Sequence, residues 1–322
     1  MAASVQKIFE EALLNLISRA SHLTGESRLC YAGGAALNCV ANSKLLKSGV
    51  FERVYIPNEP GDGGAAIGAA YLSLKKVSRQ VRYENCAIGT GKGKDSYKEE
   101  DIILLSTLDP AKTMPYIRLS NTYRPYKVIH QTVNDELELV SKVAKLIAQR
   151  KAIGWFKGVY EFGPRALGQR SILFRPDDVE LMERVSKKIK SRASFRPYAL
   201  SMTEENASQL LDLASLSNAC ESLQRMQLAV PVKVSFTEQV RCGLHIDGST
   251  RPQVVTQNNN IRFYNLLSLL SEKYNIPALI NTSFNENSFP IVADVEHAFL
   301  MFYRTELDVL VIDNHIIKKE ES

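Results

Sequence analysis

Between Lys157 and Arg196 the chain holds ten Lys or Arg against five Asp or Glu. Guanidinium forks match the oxygens of phosphate and carboxylate in pairs, and an ammonium adds a point charge. This stretch therefore has the residue types to fix one or more anions. Lys157 follows a short apolar run, Ala152, Ile153, Trp155 and Phe156, and phosphate loops commonly lie directly after such a strand. Arg165, Arg170 and Arg196 stand near Gly or Pro, not on a regular helical face. Lys190 and Arg192 flank Ser191, which puts both cations on one face if the segment is extended. The plainer alternative is a solvated basic helix.

Three further groups could carry chemistry. Gly33-Gly34 follows a strand-like run, and glycines there let bare backbone N–H groups approach a phosphate at a helix start. Asn38, one turn on, could hydrogen-bond a nucleotide or sugar. Asp62 lies between glycines at a second helix start, where a carboxylate grips a metal or a hydroxyl, or simply caps its helix. His245 and Asp247 are two apart, hence on one face in a strand, and with Arg251 they make a candidate acid–base group. Asn281, Ser283 and Asn285 leave an apolar strand, and their neutral donors and acceptors suit a ribose, a carbamoyl group or a backbone turn. Gly89–Gly93 lacks Gly-Lys-Ser/Thr and a following apolar helix, which excludes a P-loop.

The elements that must position these groups read as two α/β units. At 322 residues, 45% hydrophobic and 23% charged, the composition is that of a globular protein of about two domains. A net charge of +5, with no basic array interleaved with aromatics, argues against nucleic acid as partner. Five scattered cysteines without Cys-x-x-Cys predict reduced thiols in a cytoplasmic protein. No apolar run reaches membrane-spanning length, so no membrane partner is expected. Residues 5–23 form an amphipathic helix. Strand, glycine turn and helix then follow twice over residues 28–74, an α/β layer with ligands at its strand-to-helix turns. Residues 85–130 read as a connection. Beyond it come helices over 134–147, 177–188, 204–213, 258–274 and 294–303, and strands over 152–156, 198–202, 228–236 and 277–280. A hairpin turning at Asp313-Asn314 closes the chain.

In this order the motifs resemble one family. They are Tyr31-Ala-Gly-Gly-Ala-Ala-Leu-Asn38, Gly61-Asp62-Gly-Gly, Glu161-Phe-Gly-Pro-Arg165 with Gly168-x-Arg170-Ser171, Lys190-x-Arg192 with Phe195-Arg-Pro197, His245-x-Asp-Gly248 with Arg251-x-Gln253, and Asn281-Thr-Ser-Phe-Asn285. Together they look like the O-carbamoyltransferases of the nodulation-factor, cephamycin and tobramycin type. That resemblance implies an α/β lobe, part of an actin-like (ASKHA) domain, over residues 1–84. It also implies a YrdC-like α+β domain, a twisted mixed sheet with flanking helices, over residues 131–322. The implied activity converts carbamoyl phosphate and ATP, with Mg2+, to carbamoyl adenylate, and passes the carbamoyl group to a small-molecule hydroxyl acceptor in secondary metabolism. Lys190, Arg192 and Arg196 would hold the phosphates and the adenylate. Arg165, Asn281, Ser283 and Asn285 would line the same pocket, with Lys157, Arg170 and Arg251 as further contacts and His245 and Asp247 as acid–base candidates. Gly33, Gly34 and Asn38 would meet the nucleotide of the transfer site, and Asp62 its Fe2+ or other divalent metal.

That family carries a longer N-terminal half with a His-x-x-x-His, a pattern absent among His22, His130, His245, His297 and His315. The expectation is an N-terminally truncated member, completed by a second copy or by a chain supplying the rest. Ser186, Ala193, Leu200 and Ser288-Phe289-Pro290 depart from the family pattern. The alternatives are a partner-dependent subunit of a split enzyme, or a non-catalytic nucleotide-binding or interaction protein.

Overall fold

The computed structural model describes residues 1–73, 98–107, 127–193, 195–214, 216, 220–287 and 289–320; the expected connection, with Gly89–Gly93, lies mostly outside them. In the first lobe, α1 (Ala2–Thr24) packs on α2 (Cys39–Lys47) through Leu13, Ile17, Ala41, Leu45 and Phe51. Gly25 takes φ 66, the left-handed conformation that ends α1. β1 (Arg28–Cys30) pairs in parallel with β2 (Arg53–Tyr55). Each runs into a 3-10 turn, Gly34–Leu37 and Asp62–Gly64, ahead of α2 and of α3 (Ala65–Ser73). The expected order of strand, glycine turn and helix is present twice.

The second lobe contains α4 (Glu99–Thr107), β3 (Val128–Thr132), α5 (Glu136–Ala148), β4 (Ile153–Phe156), β5 (Arg170–Phe174), α6 (Val179–Arg184), β6 (Ala199–Thr203) and α7 (Glu204–Leu210). After these come α8 (Cys220–Gln224), β7 (Val230–Pro231), β8 (Ser249–Thr250), β9 (Pro252–Val255), α9 (Ile261–Tyr274), β10 (Leu279–Ser283), α10 (Val295–Arg304), β11 (Val309–Ile312) and β12 (His315–Lys319). Eight strands form one mixed sheet in the order β3-β12-β11-β4-β5-β10-β6-β9. β4 and β11 run parallel, as do β6 and β9; the other neighbours are antiparallel. The fold is thus a mixed α/β one with a large mixed sheet. Asp135, Asp178, Thr203, Asn260 and Asp294 start α5, α6, α7, α9 and α10, each side chain accepting from a backbone N–H three residues on. No helix among the described residues is long and apolar enough to cross a membrane.

Strand alternation sorts the core into two faces. Ile153, Trp155, Leu173, Leu279 and Val311 pack under α5 and α9. Phe156, Ile172, Phe174, Leu200, Met202 and Ile280 pack on the other side with α6, α7 and α10. The register places Ser171 opposite both Trp155 and Ser283, and Leu173 opposite both Ile153 and Asn281. Hence Ser171, Ser283 and Asn281 share the face of α5 and α9. There the apolar surface gives way to a polar end.

Two expectations fail locally. Leu228–Phe236 is not one strand: Val230–Pro231 pairs with β8, Val232 makes one isolated bridge to Leu211, and Val234–Phe236 turns into a 3-10 helix with Val234 exposed. Pro231 removes a ladder donor, and pairing goes no further than the bridge at Val232. β5 was hidden within the basic region, although it is buried along its whole length. The lobes are joined by polar contacts: Asn42 Nδ2 donates to the Gln227 carbonyl at 3.0 Å, Ser43 Oγ to the Ala229 carbonyl at 2.8 Å, and Gln227 Nε2 to the Pro57 carbonyl at 2.7 Å.

Candidate active site

The loop between β4 and β5 is folded around one buried carboxyl group. Glu161 Oε1 accepts the N–H groups of Leu167 at 2.5 Å and Gln169 at 3.1 Å, and Oε2 accepts that of Arg170 at 3.1 Å. Burial pushes the Glu161 carboxyl up to about 7 against the opposing pull of these three N–H groups. Gly168, at φ +98, lets the chain double back: its N–H meets Ser171 Oγ at 3.1 Å and its carbonyl accepts from Trp155 Nε1 at 3.0 Å. The sequence shows Glu161 only as one letter of a motif. Its function as the loop's hub depends on N–H groups six to nine residues away.

This loop meets the polar end of the sheet at Leu167. There Asn281 Nδ2 donates to Ser201 Oγ at 3.0 Å and to Gln253 Oε1 at 2.9 Å, while Gln253 Nε2 donates to the Leu167 carbonyl at 2.8 Å. Arg251 precedes Gln253 by two residues. Burial first, then the neighbouring Arg165 and Arg192 charges, pull the Arg251 guanidinium down to about 10, still cationic at neutral pH. Burial also lowers Arg165, with Cys39 and Glu59 acting in the other direction. Arg192 stacks 3.9 Å from the centre of the Tyr198 ring, whose hydroxyl meets Ser186 Oγ at 2.8 Å. Among the described residues, Arg165, Arg192 and Arg251 make no ion pair, and the shielded Nε of Arg192, Nε of Arg251 and Oδ1 of Asn281 have no hydrogen-bond partner. Guanidinium groups close enough for Arg165 and Arg192 to act on Arg251, and without an ion-pair partner among the described residues, can receive an anion.

The other candidates fall out differently. Lys190 is not extended with Arg192: a π-helical turn, Val185–Ile189, leads into it, and Ser191 takes φ 47. Its Nζ points to Ser283 O at 2.7 Å, Ser283 Oγ at 3.2 Å, Asn285 O at 2.8 Å and Asn285 Oδ1 at 2.6 Å. Burial, then Arg192, draws the Lys190 ammonium down to about 7, while the four oxygens favour its charged form. Lys190, Ser283 and Asn285 thus meet, as expected of one pocket. Arg170 does not join them. It is fully buried, 3.4 Å from the Phe156 ring centre, and its donors go to the carbonyls of Lys157 at 2.6 Å, Gly158 at 3.0 Å and Gln169 at 3.2 Å. It therefore braces the loop that carries Lys157. Arg196 is exposed, and its carbonyl accepts from Arg192 Nη2 at 3.3 Å. His245 and Asp247 sit in a turn, not a strand. Both address Ser249, whose hydroxyl is 3.2 Å from His245 Nδ1 and donates to Asp247 Oδ1 at 2.7 Å. Burial lowers the His245 pKa, with Asp247 opposing and Arg251 assisting.

In the first lobe Gly33 and Asp62 line one cleft of about 500 Å³ at the ends of β1 and β2. Asn38 does not reach it. Its side chain caps α2, accepting from Ala41 N–H at 3.1 Å, and donates to Gln6 Oε1 at 2.9 Å; cap residues of this kind have their hydrogen bonds already used. The Gly34 N–H stays on the exposed surface. Among the described residues no three His, Cys, Asp or Glu side chains gather into a metal-ligand set, so Asp62 by itself does not fit a metal. Phe162, which sequence reading overlooked, comes from the Glu161 loop to line this cleft. Gly163, at φ +118, lies so close that a Cβ there would stand 2.8 Å from the Asn58 carbonyl oxygen. One loop therefore serves the cleft through Phe162 and the cation cluster through Arg165. Gly163→Ala should cost about 1–3 kcal/mol in urea unfolding, from left-handed strain and backbone collision together. An unchanged unfolding curve would show that the lobes separate freely at this point.

A family model described as "Carbamoyltransferase C-terminus" matches residues 144–319, and one described as "Carbamoyltransferase N-terminus" matches residues 1–71. The nodulation protein NolNO of Sinorhizobium fredii is 32% identical over 99% of this chain and 44% of its own length. NolO of Bradyrhizobium diazoefficiens is 31% identical over 99% of this chain and 54% of its own. The chain thus spans about half the length of the curated relatives it matches. A crystal structure of full-length HypF aligns over 61% of this chain and 23% of that chain, with 14% identity and a TM-score of 0.38, a likeness too slight to carry an argument.

Proposed function

This chain belongs to the carbamoyltransferase family, and we propose that its second lobe activates carbamoyl phosphate with ATP, giving carbamoyl adenylate for transfer to a small-molecule hydroxyl. The observation that carries this reading is that Arg165 and Arg192 lie near enough to act on Arg251 while none of the three has an ion pair among the described residues, with Asn281 Oδ1 also unpartnered. Carbamoyl phosphate combines a dianion with an amide N–H2 and so offers what both need. Activation consumes one water: hydrolysis breaks the P–O bond of carbamoyl phosphate to give carbamate and inorganic phosphate, and a carbamate oxygen then attacks the α-phosphorus of ATP, forming carbamoyl adenylate as pyrophosphate leaves. Little covalent work is asked of the protein, since positioning and neutralisation of developing negative charge carry such steps. Arg165, Arg192 and Arg251 would hold phosphate oxygens, and Asn281 would orient the carbamoyl amide. Lys190 would set the Ser283–Asn285 wall. Mg2+ would arrive with ATP as part of the substrate. The divalent metal expected of a transfer site has no ligand set among the described residues, and no step is routed through it.

On this reading residues 131–322 form the YrdC-like domain, residues 1–84 belong to an actin-like (ASKHA) lobe, residues 85–130 connect them, and the protein works in the cytoplasm. Purified protein given carbamoyl phosphate and ATP should release pyrophosphate, and Lys190→Ala should lower that rate by about a hundredfold or more. Equal rates in the two, or no pyrophosphate from either, would sink the activation step.

A second element of the proposal is a protein partner, either another chain or a second copy. α3 is apolar all round, yet Ala65, Ala66, Ala69, Ala70 and Leu72 are exposed among the described residues, as are Val5, Ile8, Leu16 and Leu23 of α1. Helices of that kind are ordinarily covered by protein. Light scattering should find an assembly; a well-behaved monomer at high concentration would contradict it.

A further inference from the structure

The turn from His245 to Ser249 holds an imidazole, a carboxylate and a hydroxyl in mutual contact. The His245 N–H donates to the Ser249 carbonyl at 2.7 Å and the Gly248 N–H to the His245 carbonyl at 3.0 Å, which closes the turn on itself. The Ser249 hydroxyl gives its single hydrogen to Asp247 Oδ1 at 2.7 Å, and the same oxygen accepts the Ser249 N–H at 3.0 Å. The Ser249 hydroxyl bond, the largest cause, holds the Asp247 carboxyl below the usual carboxylate range. Ser249 Oγ lies 3.2 Å from His245 Nδ1 and, with its hydrogen already given, can only accept from that nitrogen. A neutral His245 therefore carries its hydrogen on Nδ1 and presents a lone pair at Nε2. Nε2 makes no hydrogen bond among the described residues. An imidazole with its tautomer set by a neighbour and its other nitrogen open has the form of a general base.

The backbone ties this group to Arg251. The chain runs from β8 through Arg251 into β9, and the Arg251 carbonyl accepts from the Leu200 N–H at 3.3 Å, so the strand direction is kept across the junction. Val254 packs on one side of the sheet and Val255 on the other. By the same alternation Ser249, Arg251 and Gln253 fall on one side, where Gln253 meets Asn281. Two steps along a strand span about 7 Å, which makes Arg251 the cation standing next to the His245–Ser249 pair. Burial, the largest cause, holds the His245 imidazole below its usual range; Asp247 opposes and Arg251 assists. At neutral pH the ring is therefore unprotonated, as a base must be.

Resting on the activation reading, we propose that His245 is the general base of its water step, with Asp247 and Ser249 as positioning residues. The water oxygen attacks the phosphorus of carbamoyl phosphate. The bond from phosphorus to the carbamoyl oxygen breaks, and its electron pair leaves with carbamate. One water proton passes to His245 Nε2, and the other stays on the inorganic phosphate. The imidazolium then returns its proton to solvent. A phosphate dianion seated on Arg251 offsets the charge that weakens His245, so substrate binding raises the basicity of the imidazole at the stage that needs a base.

Freshly dissolved ammonium carbamate, given with ATP, enters after the water step, so the two halves of activation can be followed apart on the whole chain. His245→Gln should slow pyrophosphate release from carbamoyl phosphate and ATP by about a hundredfold or more, and release from carbamate and ATP by less than about twofold. Ser249→Ala frees the imidazole to take the other tautomer and should slow the first by about tenfold or more while sparing the second. The wild-type rate on carbamoyl phosphate should fall on acidification as His245 takes up a proton, a limb missing from the residual rate of His245→Gln. His245→Gln as fast as the wild type on carbamoyl phosphate would overturn the base. So would a variant equally slow on carbamate, since a structural role impairs both, or a wild type that uses carbamate but not carbamoyl phosphate. These results leave the adenylation half standing. If the wild type releases pyrophosphate from neither substrate, the activation reading itself falls, and the base with it. An unfolding midpoint shows whether each variant is folded; should His245→Gln fail to fold, Ser249→Ala decides by the same comparison.

Discussion

Replacing Arg251 by methionine should stabilise the protein by about 1–2 kcal/mol and weaken its hold on pyrophosphate or carbamoyl phosphate by about ten- to a hundredfold. Both effects have one cause. Arg251 lies among Arg165 and Arg192, whose charges depress its guanidinium, and its Nε is shielded from water without a partner among the described residues. In the free protein this is repulsion plus an unmade hydrogen bond. Methionine keeps most of the side-chain volume and removes both. A bound dianion would reverse the sign, giving each guanidinium the counter-charge it lacks. Stability should be read by urea unfolding at low and at high salt, since the gain should shrink as ions screen the cluster. Affinity should be read by calorimetry. A destabilised variant would mean that Arg251 is engaged in a structural bond, and unchanged affinity would remove the cluster from the anion site.

Glu161→Ala should destabilise the protein by about 3–5 kcal/mol and abolish binding at both the cleft and the cation cluster. The substitution strands the N–H groups of Leu167, Gln169 and Arg170, which now meet one carboxyl group. Phe162 and Arg165 ride on the same loop, so neither would keep its place. The pH dependence separates the carboxyl's charge from its geometry. Its folded pKa, about 7, is raised from the ordinary 4.5, so the folded state holds a proton that the unfolded state gives up. The contribution to stability is full below about pH 4.5 and declines as pH rises to about 7, by roughly 3 kcal/mol at most. Glu161→Gln cannot ionise and should lose that decline, while paying for one amide N–H2 turned toward the Arg170 N–H. Equal slopes of stability against pH for Glu161→Gln and the wild type would show that Glu161 is ionised throughout.

Much of the framework was legible because it follows from short-range rules. Helical spacing marked α1, α5, α9 and α10, and the structure shows Asp135, Asn260 and Asp294 capping three of them. The two glycine turns of the first lobe lie where the strand-to-helix order put them, and Gly33 and Asp62 do line one cleft. β5 escaped notice because a strand buried on both faces shows no alternation, and its arginine drew it into the basic run. Leu228–Phe236 misled in the opposite way, since its alternation was real but it pairs only over Val230–Val232 before turning into a 3-10 helix.

The sequence by itself determined which residue types were present to meet an anion, and that Arg165, Lys190, Arg192, Arg251, Asn281, Ser283 and Asn285 belong to one order of motifs. It could not say which charges would stay uncompensated. Arg170 looked equal to Arg165 in spacing, yet backbone carbonyls of its own loop take its donors, while Arg165 lies near enough to Arg251 to depress its guanidinium. Asn38 read as a nucleotide or sugar contact and is a cap; Lys190 read as sharing an extended face with Arg192 and is caged by four oxygens. The physical reason is range. Caps, turns and periodic faces are settled within a few residues of chain. Whether a buried charge finds a partner depends on groups up to about a hundred residues away in sequence, such as Asn285 against Lys190, and only packing brings those together.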